Sequence, residues 1–302
     1  MKEIFKIAVA LTVSCLIAGG VMGGVFMATA KAKKRNELLN VQQTMAGLLG
    51  YSRARPMPPN LKLHTLHRYI VEDEAGTRSG YLVPTGGETG HEFWIIDLDG
   101  RLVGRHPLKL PPESISDEQD RRRAIVALLG PGASVRDADV VTVAELEGKR
   151  LAYIIPGKYP GYKNAIHLMV ALNPDFSVRG VEVTAHEEDP GLGGEIEKAY
   201  FKNQFRDKTL EAVKTLTVTR TPLPEEHKRY LESATGAETG LSGADTGALK
   251  RTYQNEEIHA ISGATISSSA VTNGVKRLVR NSVHRLMLLE QAARENNVPV
   301  GF

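Results

Sequence analysis

An uncharged and largely apolar run near the N-terminus constrains the fold of this chain most strongly. Residues 7–30 contain no charged side chain over 24 positions. A helix that rises about 1.5 Å per residue would cross the hydrocarbon core of a bilayer over that length. A cleaved signal peptide is the alternative, because Ala28 and Ala30 resemble a cleavage site. The run is longer than a usual signal core, so we expect a retained single-pass anchor over residues 1–35.

Composition narrows what the rest of the chain can do. The 302 residues carry a net charge of +3 that is dispersed along the sequence, which gives nucleic-acid binding little support. Cys15 is the single cysteine and lies in the apolar run. The chain therefore cannot form an internal disulfide or ligate an iron–sulfur cluster through its own cysteines.

The patterns after the anchor predict an α+β fold with a mainly antiparallel sheet. Apolar residues at helical spacing continue a helix toward Tyr51, and the prolines from Pro56 onward should end it. Residues 93–104 are typical of a hairpin that turns at Asp-Gly, with Trp94 packed in the sheet. The acidic, proline-led stretch 111–120 predicts a loop or solvated turn.

The second half of the chain predicts strands followed by a long helix. The strand-like segments are residues 151–155, 165–172 and 177–184. Residues 233–246 are rich in small and polar side chains and are typical of a loop insertion. From Val271 to Leu289, apolar residues share one helix face. We expect an N-terminal α+β segment over residues 36–150 and a separate domain over residues 151–302, which should fold alone from about Arg150.

A short loop runs directly into this last helix. Ser262, Gly263, Ala264 and Thr265 precede a Ser-rich first turn. Free N–H groups and the positive end of the helix dipole favour an anion there. The small residues Gly263 and Ala264 would let a large group approach the backbone. The pattern fits a phosphate cradle that also offers the Thr265 hydroxyl, or else an ordinary Ser-capped helix start.

Three motifs in order resemble the family of periplasmic domains that bind FMN covalently, which includes the G subunits of Rnf electron-transport complexes. Ser262–Thr265 is similar to the family's flavinylation motif. His186–Gly193 resembles its His-x-Glu-Thr-Pro-Gly-Leu-Gly loop. Residues 161–166, Gly-Tyr-Lys-Asn-Ala-Ile, resemble the opening of the same domain. The resemblance covers roughly residues 151–289.

The resemblance implies that a flavin transferase esterifies the phosphate of FMN to Thr265. Further FMN contacts are then expected from seven other loop residues and from one serine in the helix: Ser262, Gly263, Ala264, Ser267, Glu188, Asp189, Leu192 and Gly193. Two positions depart from the family. His259 stands where an Asp is usual, which bears on recognition by the transferase. Asp189 replaces a threonine, and its negative charge would lower the potential of a nearby flavin.

The implied function is that of an electron-transfer subunit rather than a stand-alone enzyme. The chain would relay electrons in an Rnf-type ion-translocating ferredoxin:NAD oxidoreductase complex, with membrane and iron–sulfur subunits as partners. The C subunit of Na⁺-translocating NADH:quinone reductase and a membrane-anchored flavin sensor are the alternatives. The family implies an inner-membrane anchor with the soluble domain in the periplasm. Lys31, Lys33, Lys34 and Arg35 outnumber Lys2 and Lys6, and taken alone these charges favour the opposite orientation.

Two other kinds of chemistry have weak support in the sequence. Consecutive side chains at 186–188 on a strand end would point to opposite faces, so joint metal ligation is not expected. A hydrolase that uses Ser262 or Thr265 with His259 lacks a nucleophile elbow and a third partner.

Overall fold

The structure is a computed structural model that describes residues 2–74, 76–85, 90–232, 257–296 and 298. The chain divides into two compact units, residues 1–47 and 48–302. The first unit is formed by helix α1, Lys2–Leu49, whose last two residues belong to the second unit. Its segment Lys2–Ala30 is long and apolar enough to cross a membrane.

Helix α1 ends where the sequence predicts its end, but for a different reason. Gly50 follows the last helical residue with a φ of 89°. Glycine adopts this left-handed conformation at no steric cost, and it is a common way to terminate a helix. The helix therefore ends before Pro56 is reached, and the expectation that the prolines end it is wrong.

The second unit contains strands and shorter helices in the following order: β1 Leu61–Asp73, β2 Gly76–Pro84, β3 Gly90–Ile96, β4 Leu102–Lys109, α2 Pro112–Ser116, α3 Glu118–Leu129, β5 Ser134–Leu146, β6 Lys149–Pro160, β7 Ala165–Leu172, β8 Val178–Ala185, α4 Ala199–Lys202, α5 Leu210–Thr215, β9 Val218–Thr219, α6 Glu225–Glu232, β10 Ile258–His259 and α7 Thr265–Glu295. Residues Gly193–Glu197 and Asn203–Phe205 form short 3₁₀ turns.

Within the described part of the chain, eight strands form one sheet in the order β4-β3-β2-β1-β5-β6-β7-β8. Every neighbouring pair in this sheet is antiparallel, while β9 and β10 form a separate parallel pair. The predicted α+β class with a mainly antiparallel sheet is confirmed. The strands predicted at 151–155, 165–172 and 177–184 are β6, β7 and β8, and the hairpin over 93–104 is β3 and β4.

Side chains on the two faces of the sheet belong to two separate apolar clusters. Tyr81 and Trp94 face the larger cluster, which the apolar side of α7 covers. Their neighbours in sequence, Leu82 on β2 and Phe93 on β3, face a smaller cluster that α3 covers. Strand alternation explains this division, because successive side chains point to opposite faces. Trp94 is fully buried, as the sequence predicts.

The prediction of a loop or solvated turn over residues 111–120 is wrong, because this stretch contains α2 and the start of α3. The Asp117 side chain accepts hydrogen bonds from the backbone N–H groups of Gln119 and Asp120, at 2.9 and 3.0 Å. An aspartate at this position caps a helix start and offsets the turn-forming tendency of the stretch. The loop insertion predicted at 233–246 lies outside the described residues.

The sheet continues without interruption across residue 150. Strand β5 pairs with β6 from Leu146↔Lys149 to Thr142↔Ile154. Asp139 on β5 binds the side chains of Arg68 on β1 and Arg285 on α7. The boundary at 150/151 thus falls inside β6, and α7 packs on both parts of the sheet.

The fold brings three segments to one end of the sheet. The loop between β6 and β7 begins after Pro160, and the loop after β8 begins at His186. Because β7 pairs antiparallel with both β6 and β8, the two loops lie at the same end of the sheet. The N-terminus of α7 packs against the second loop through Ser267. These three segments are the three motifs that the sequence singles out.

Candidate functional site

The turn before α7 is held closed by a buried serine. Ser268 donates its hydroxyl to the carbonyl of Ala264 at 2.9 Å and accepts from the N–H of Ile261 at 3.0 Å. Ala264 also donates its N–H to the Ile261 carbonyl at 2.9 Å. Gly263 has a φ of 78°, a conformation that most side chains disfavour. The loop therefore enters the helix in one fixed conformation.

The first turn of α7 offers free N–H groups to a ligand. Ala264 stands at the N-cap and has no side chain that could accept a hydrogen bond. In the described residues no acceptor is paired with the N–H groups of Thr265, Ile266 and Ser267. Thr265 is half-buried, and its hydroxyl lies beside these donors on the first helical residue. Three free donors at the positive end of a 31-residue helix suit an anion such as a phosphate.

Glu188 joins the three motif segments. Its side chain is 4% exposed. One carboxylate oxygen accepts from the backbone N–H groups of Tyr162 and Lys163, at 2.9 and 3.1 Å. The other accepts from the hydroxyl of Ser267. A buried carboxylate is stable only when its oxygens are hydrogen-bonded, and here the partners come from the two other segments.

Two glycines leave room for this carboxylate. A Cβ at Gly161 would lie 2.5 Å from the Glu188 Oε1 atom, and one at Gly193 would lie 2.8 Å from Ser267 Oγ. Both distances are shorter than any ordinary contact, so a side chain at either position would separate the segments. The glycines in these motifs are therefore explained by close packing around Glu188.

Each of the three motif segments carries an exposed apolar side chain. Tyr162, Leu192 and Ile266 are 61%, 49% and 60% exposed, and each belongs to a different motif segment. Leu192 lies against the turn, since its Cδ2 atom is 3.1 Å from the position of a Cβ at Gly263. Apolar side chains beside an anion cradle suit a ligand with a flat apolar part and a phosphate.

Asp189 forms an ion pair at the rim of the site. Its carboxylate binds the Lys163 ammonium, and this hydrogen bond raises the pKa of Lys163 above its usual value. Its backbone carbonyl accepts from the N–H of Gly194 at 2.8 Å and shapes the turn that carries Leu192. The negative charge predicted at this position is therefore balanced by a lysine from the neighbouring loop.

The His186 ring makes its polar contacts within its own segment of the chain. Its Nδ1 atom accepts from the N–H of Glu188 at 3.0 Å, and its Nε2 atom lies 3.0 Å from a carboxylate oxygen of Glu197. A ring nitrogen that accepts from a backbone N–H carries no proton, so Nε2 carries it and donates to Glu197. Within the described ranges, no group of three His, Cys, Asp or Glu side chains is placed to hold a metal ion.

His259 is fixed behind the turn by Gln204. The buried Gln204 amide accepts from the N–H of His259 at 2.8 Å and donates to its carbonyl at 3.3 Å. The ring Nδ1 lies 2.9 Å from the Thr221 carbonyl, which can only accept, so Nδ1 carries a proton. At the position where the resemblance leads us to expect an aspartate, this chain has a ring N–H that is bound to backbone.

The structure brings the predicted site residues together around one cradle, and three other groups were missed. Ser262 and Gly263 are exposed, Ala264 and Gly193 are buried, and Ser267 is turned toward Glu188. Sequence reasoning missed the roles of Ser268, Gln204 and Lys163. The i, i+4 spacing of Ala264 and Ser268 could have indicated the first, whereas no sequence signal links Gln204 to the site.

Comparison with known proteins gives this region a family. Residues 161–280 match the model of the FMN-binding domain family. These residues are similar to FMN-binding domains. The match covers all three motif segments and ends within α7. The domain model thus describes the cradle and the loops that Glu188 joins.

The curated relatives of this chain are named as subunits of proton- or ion-translocating oxidoreductase complexes. The G subunit of the proton-translocating ferredoxin:NAD(+) oxidoreductase complex of Clostridium ljungdahlii is 34% identical over 136 residues, which is 45% of this chain and 56% of the relative. The G subunit of an ion-translocating oxidoreductase complex of Pseudomonas aeruginosa is 35% identical over 103 residues, 28% of this chain and 48% of the relative. The chain spans about half the length of these relatives. The resemblance to G subunits is confirmed.

A solved structure that is similar to part of this chain is the C subunit of the Na(+)-translocating NADH-quinone reductase from Parabacteroides distasonis. It is 23% identical, with a TM-score of 0.33, and the match covers 48% of this chain and 61% of that chain.

The apolar helix Lys2–Ala30 and the names of the curated relatives together support membrane anchoring.

Proposed function

We propose that this chain is the G subunit of an Rnf-type, ion-translocating ferredoxin:NAD oxidoreductase complex. In it the chain carries FMN, esterified through its phosphate to Thr265, and acts as a redox relay. The match to the FMN-binding domain family and the names of the relatives support this proposal. One observation carries it: at the start of α7 a threonine hydroxyl stands beside three N–H groups that have no acceptor among the described residues.

The cradle suits the phosphate end of FMN. The N–H groups of Thr265, Ile266 and Ser267 would hold phosphate oxygens, and the helix dipole would offset their charge. The exposed Ser262 hydroxyl adds a donor beside the turn. The Ser267 hydroxyl, also predicted to bind FMN, already donates to Glu188, so we expect its backbone N–H to make the phosphate contact.

The surrounding side chains suit the isoalloxazine ring. Tyr162, Leu192 and Ile266 offer exposed apolar surface, one from each motif segment, and Gly193 lets the Leu192 turn approach. When bound, FMN supplies reversible electron transfer. The residues of the chain hold the ring and set its electrostatic environment. Lys163 and Asp189 present balanced charges at the rim, and Glu188 keeps the three segments in register.

The partners and the location follow from the same proposal. Other membrane and iron–sulfur subunits would deliver and accept the electrons, because this chain has no cysteine set of its own. A flavin transferase would attach the cofactor. We place the anchor in the inner membrane and the FMN-binding domain in the periplasm. A reporter fused after Phe302 that is active only outside the cytoplasm supports this orientation, and activity only inside it refutes it.

In-gel fluorescence tests the covalent proposal. The full chain, co-expressed with a flavin transferase, should fluoresce under ultraviolet light in a denaturing gel. Thr265→Ala should abolish the fluorescence. Ser269→Ala is the matched control, because this hydroxyl lies one helical turn further along and is half-buried, and it should leave the fluorescence unchanged. Equal fluorescence of both variants would contradict the proposal.

A further inference from the structure

Glu188 places a negative charge beside the anion cradle. Its side chain is 4% exposed, and its carboxylate accepts hydrogen bonds from two backbone N–H groups and from the Ser267 hydroxyl. All three partners donate, as an ionised carboxylate requires. Within the described part of the chain Glu188 forms no ion pair, and the nearby Lys163 binds Asp189 instead. The carboxylate therefore keeps its charge close to the start of α7.

Ser267 brings this charge close to any anion in the cradle. Its hydroxyl binds Glu188, and its backbone N–H is one of the three donors without an acceptor among the described residues. A phosphate on that N–H and the carboxylate on the hydroxyl would be separated by two hydrogen bonds of about 2.9 Å and one residue, which gives about 5–8 Å. The positive end of the helix, roughly half an elementary charge, is then offset by a whole negative charge nearby.

The charge of a phosphate depends on the number of esters that it forms. A phosphomonoester such as free FMN carries about −1.5 to −2 charges at pH 7, with a second pKa of about 6. A phosphodiester carries one negative charge, as in the DNA backbone. Over about 7 Å, at an effective dielectric constant of about 20–40, Coulomb's law gives a binding constant that is roughly 7- to 50-fold lower for each negative charge of the ligand. A monoester thus loses more affinity to Glu188 than a diester does.

We propose that Glu188 is a specificity-determining residue, which makes the cradle select a singly charged phosphodiester over a doubly charged phosphomonoester. The inference rests on the proposed function, because it takes FMN as the ligand. In the ester to Thr265 one phosphate oxygen is bonded to the threonine carbon and can no longer ionise, so the attached cofactor is the singly charged form. Free FMN and inorganic phosphate would then bind the cradle weakly and leave Thr265 open to the flavin transferase.

Flavin binding to a chain without attached cofactor tests this inference. The full chain in detergent carries Thr265→Ala, which removes the acceptor hydroxyl and leaves room for one methyl group. The two probes are FMN and its phosphate methyl ester, a monoester and a diester with the same ring. Quenching of flavin fluorescence gives both dissociation constants at about pH 7.5, where FMN is doubly charged.

Neutralising Glu188 should reduce the discrimination between the two probes. Glu188→Gln keeps the hydrogen bonds of the carboxylate but removes its charge. The ratio of the FMN dissociation constant to the ester dissociation constant should fall at least about fivefold in this variant. The helix dipole is the same in both chains, so it cancels from the comparison.

A charge-matched control lies next to Glu188. Glu187→Gln removes the same formal charge at an exposed position, where water and salt screen it, and should leave the ratio unchanged. Trp94 emission should show that both variants are folded, because this side chain is fully buried. An unchanged ratio in Glu188→Gln, or equal changes in the two variants, would overturn the inference.

Lowering the pH gives a second measurement that needs no substitution at Glu188. Between about pH 7.5 and 5.5 FMN gains a proton, whereas the methyl ester does not. The affinity of FMN relative to the ester should rise at least about threefold, because FMN loses the charge that Glu188 repels. No rise, or a fall, would mean that the helix dipole outweighs the carboxylate, and it would also overturn the inference.

The methyl ester corrects for protein groups that titrate over the same range, since these groups act on both probes. The titratable groups in and beside the three motif segments are Lys163, His186, Glu187, Asp189, Glu197 and His259.

Failure of the proposed function would give a different result. If neither probe binds, the cradle does not bind a flavin phosphate, and both the proposed function and this inference are refuted. If both probes bind with a ratio that Glu188→Gln leaves unchanged, the flavin site stands and only the role of Glu188 is refuted.

Discussion

Replacing Glu188 should separate the three motif segments. Glu188→Ala removes the acceptor of two backbone N–H groups and of the Ser267 hydroxyl. A hydrogen bond to a charged group contributes about 1.5–3 kcal/mol, and leaving a buried donor unpaired costs about 1–3 kcal/mol. Water can reach the exposed loop at Tyr162 and Lys163, and alanine avoids the burial of a charge. We therefore expect a loss of about 2–4 kcal/mol.

The isosteric variant Glu188→Gln should cost less. Its amide oxygen can accept from both backbone N–H groups, and its NH₂ group can donate to Ser267 Oγ, whose own hydrogen then turns away. We expect a loss of about 1 kcal/mol, because the bonds remain but lose their charge. The exposed neighbour Glu187 is the matched control, and Glu187→Ala should change stability by less than about 0.5 kcal/mol.

Thermal unfolding of the full chain in detergent measures these differences. Trp94 is the single tryptophan and is fully buried in the second unit, so its emission reports on that unit. A loss of about 2–4 kcal/mol corresponds to a fall in Tm of about 5–15 °C for a domain of this size. Equal Tm values for Glu188→Ala and Glu187→Ala, or an equal fall for Glu188→Gln, would refute the proposed role of the carboxylate.

Three further predictions concern charge, pH and domain organisation. Lys163→Met leaves the Asp189 carboxylate unpaired, so spectroelectrochemical titration should give a lower flavin potential, whereas Asp189→Asn should raise it; unchanged potentials would place the ring away from this pair. Burial lowers the pKa of His67 from 6.5 to about 4, so the unfolded chain binds a proton that the folded chain does not, and stability should fall as pH drops from about 6.5 to 4. His67→Gln should flatten that part of the Tm–pH curve, and an unaltered slope would contradict this assignment. A fragment of residues 151–302 lacks β5 and leaves the β6 edge bare, so we expect it to aggregate while residues 48–302 stay soluble. A soluble, cooperatively melting 151–302 fragment would contradict this expectation and support the domain boundary at residue 150.

The parts of the fold that sequence predicts have strong local signals. The apolar run, the Asp-Gly hairpin and the stripe of apolar residues from Val271 to Leu289 each encode a helix or strand through spacing alone. The stretch 111–120 failed because its prolines and acids favour a turn as well as a helix start, and the capping by Asp117 decided between them.

The sequence predicts the candidate site as a set of motifs but not as a structure. The resemblance points to Thr265, Glu188 and Leu192, because each lies within a short motif. It could not show that Glu188 accepts from the Tyr162–Lys163 backbone, since that contact depends on how β6, β7 and β8 align. The pairing of Gln204 with His259 spans 55 residues, and nothing local in the sequence encodes it.

Peptide mapping of the full chain tests the central claim most directly. The tryptic peptide Thr252–Lys276 contains Thr265 among several other hydroxyls. After co-expression with a flavin transferase, tandem mass spectrometry should show this peptide heavier by one FMN less one water, with the added mass on Thr265. An unmodified wild-type peptide, or the added mass on Ser262, Ser267 or Thr272, would contradict the account.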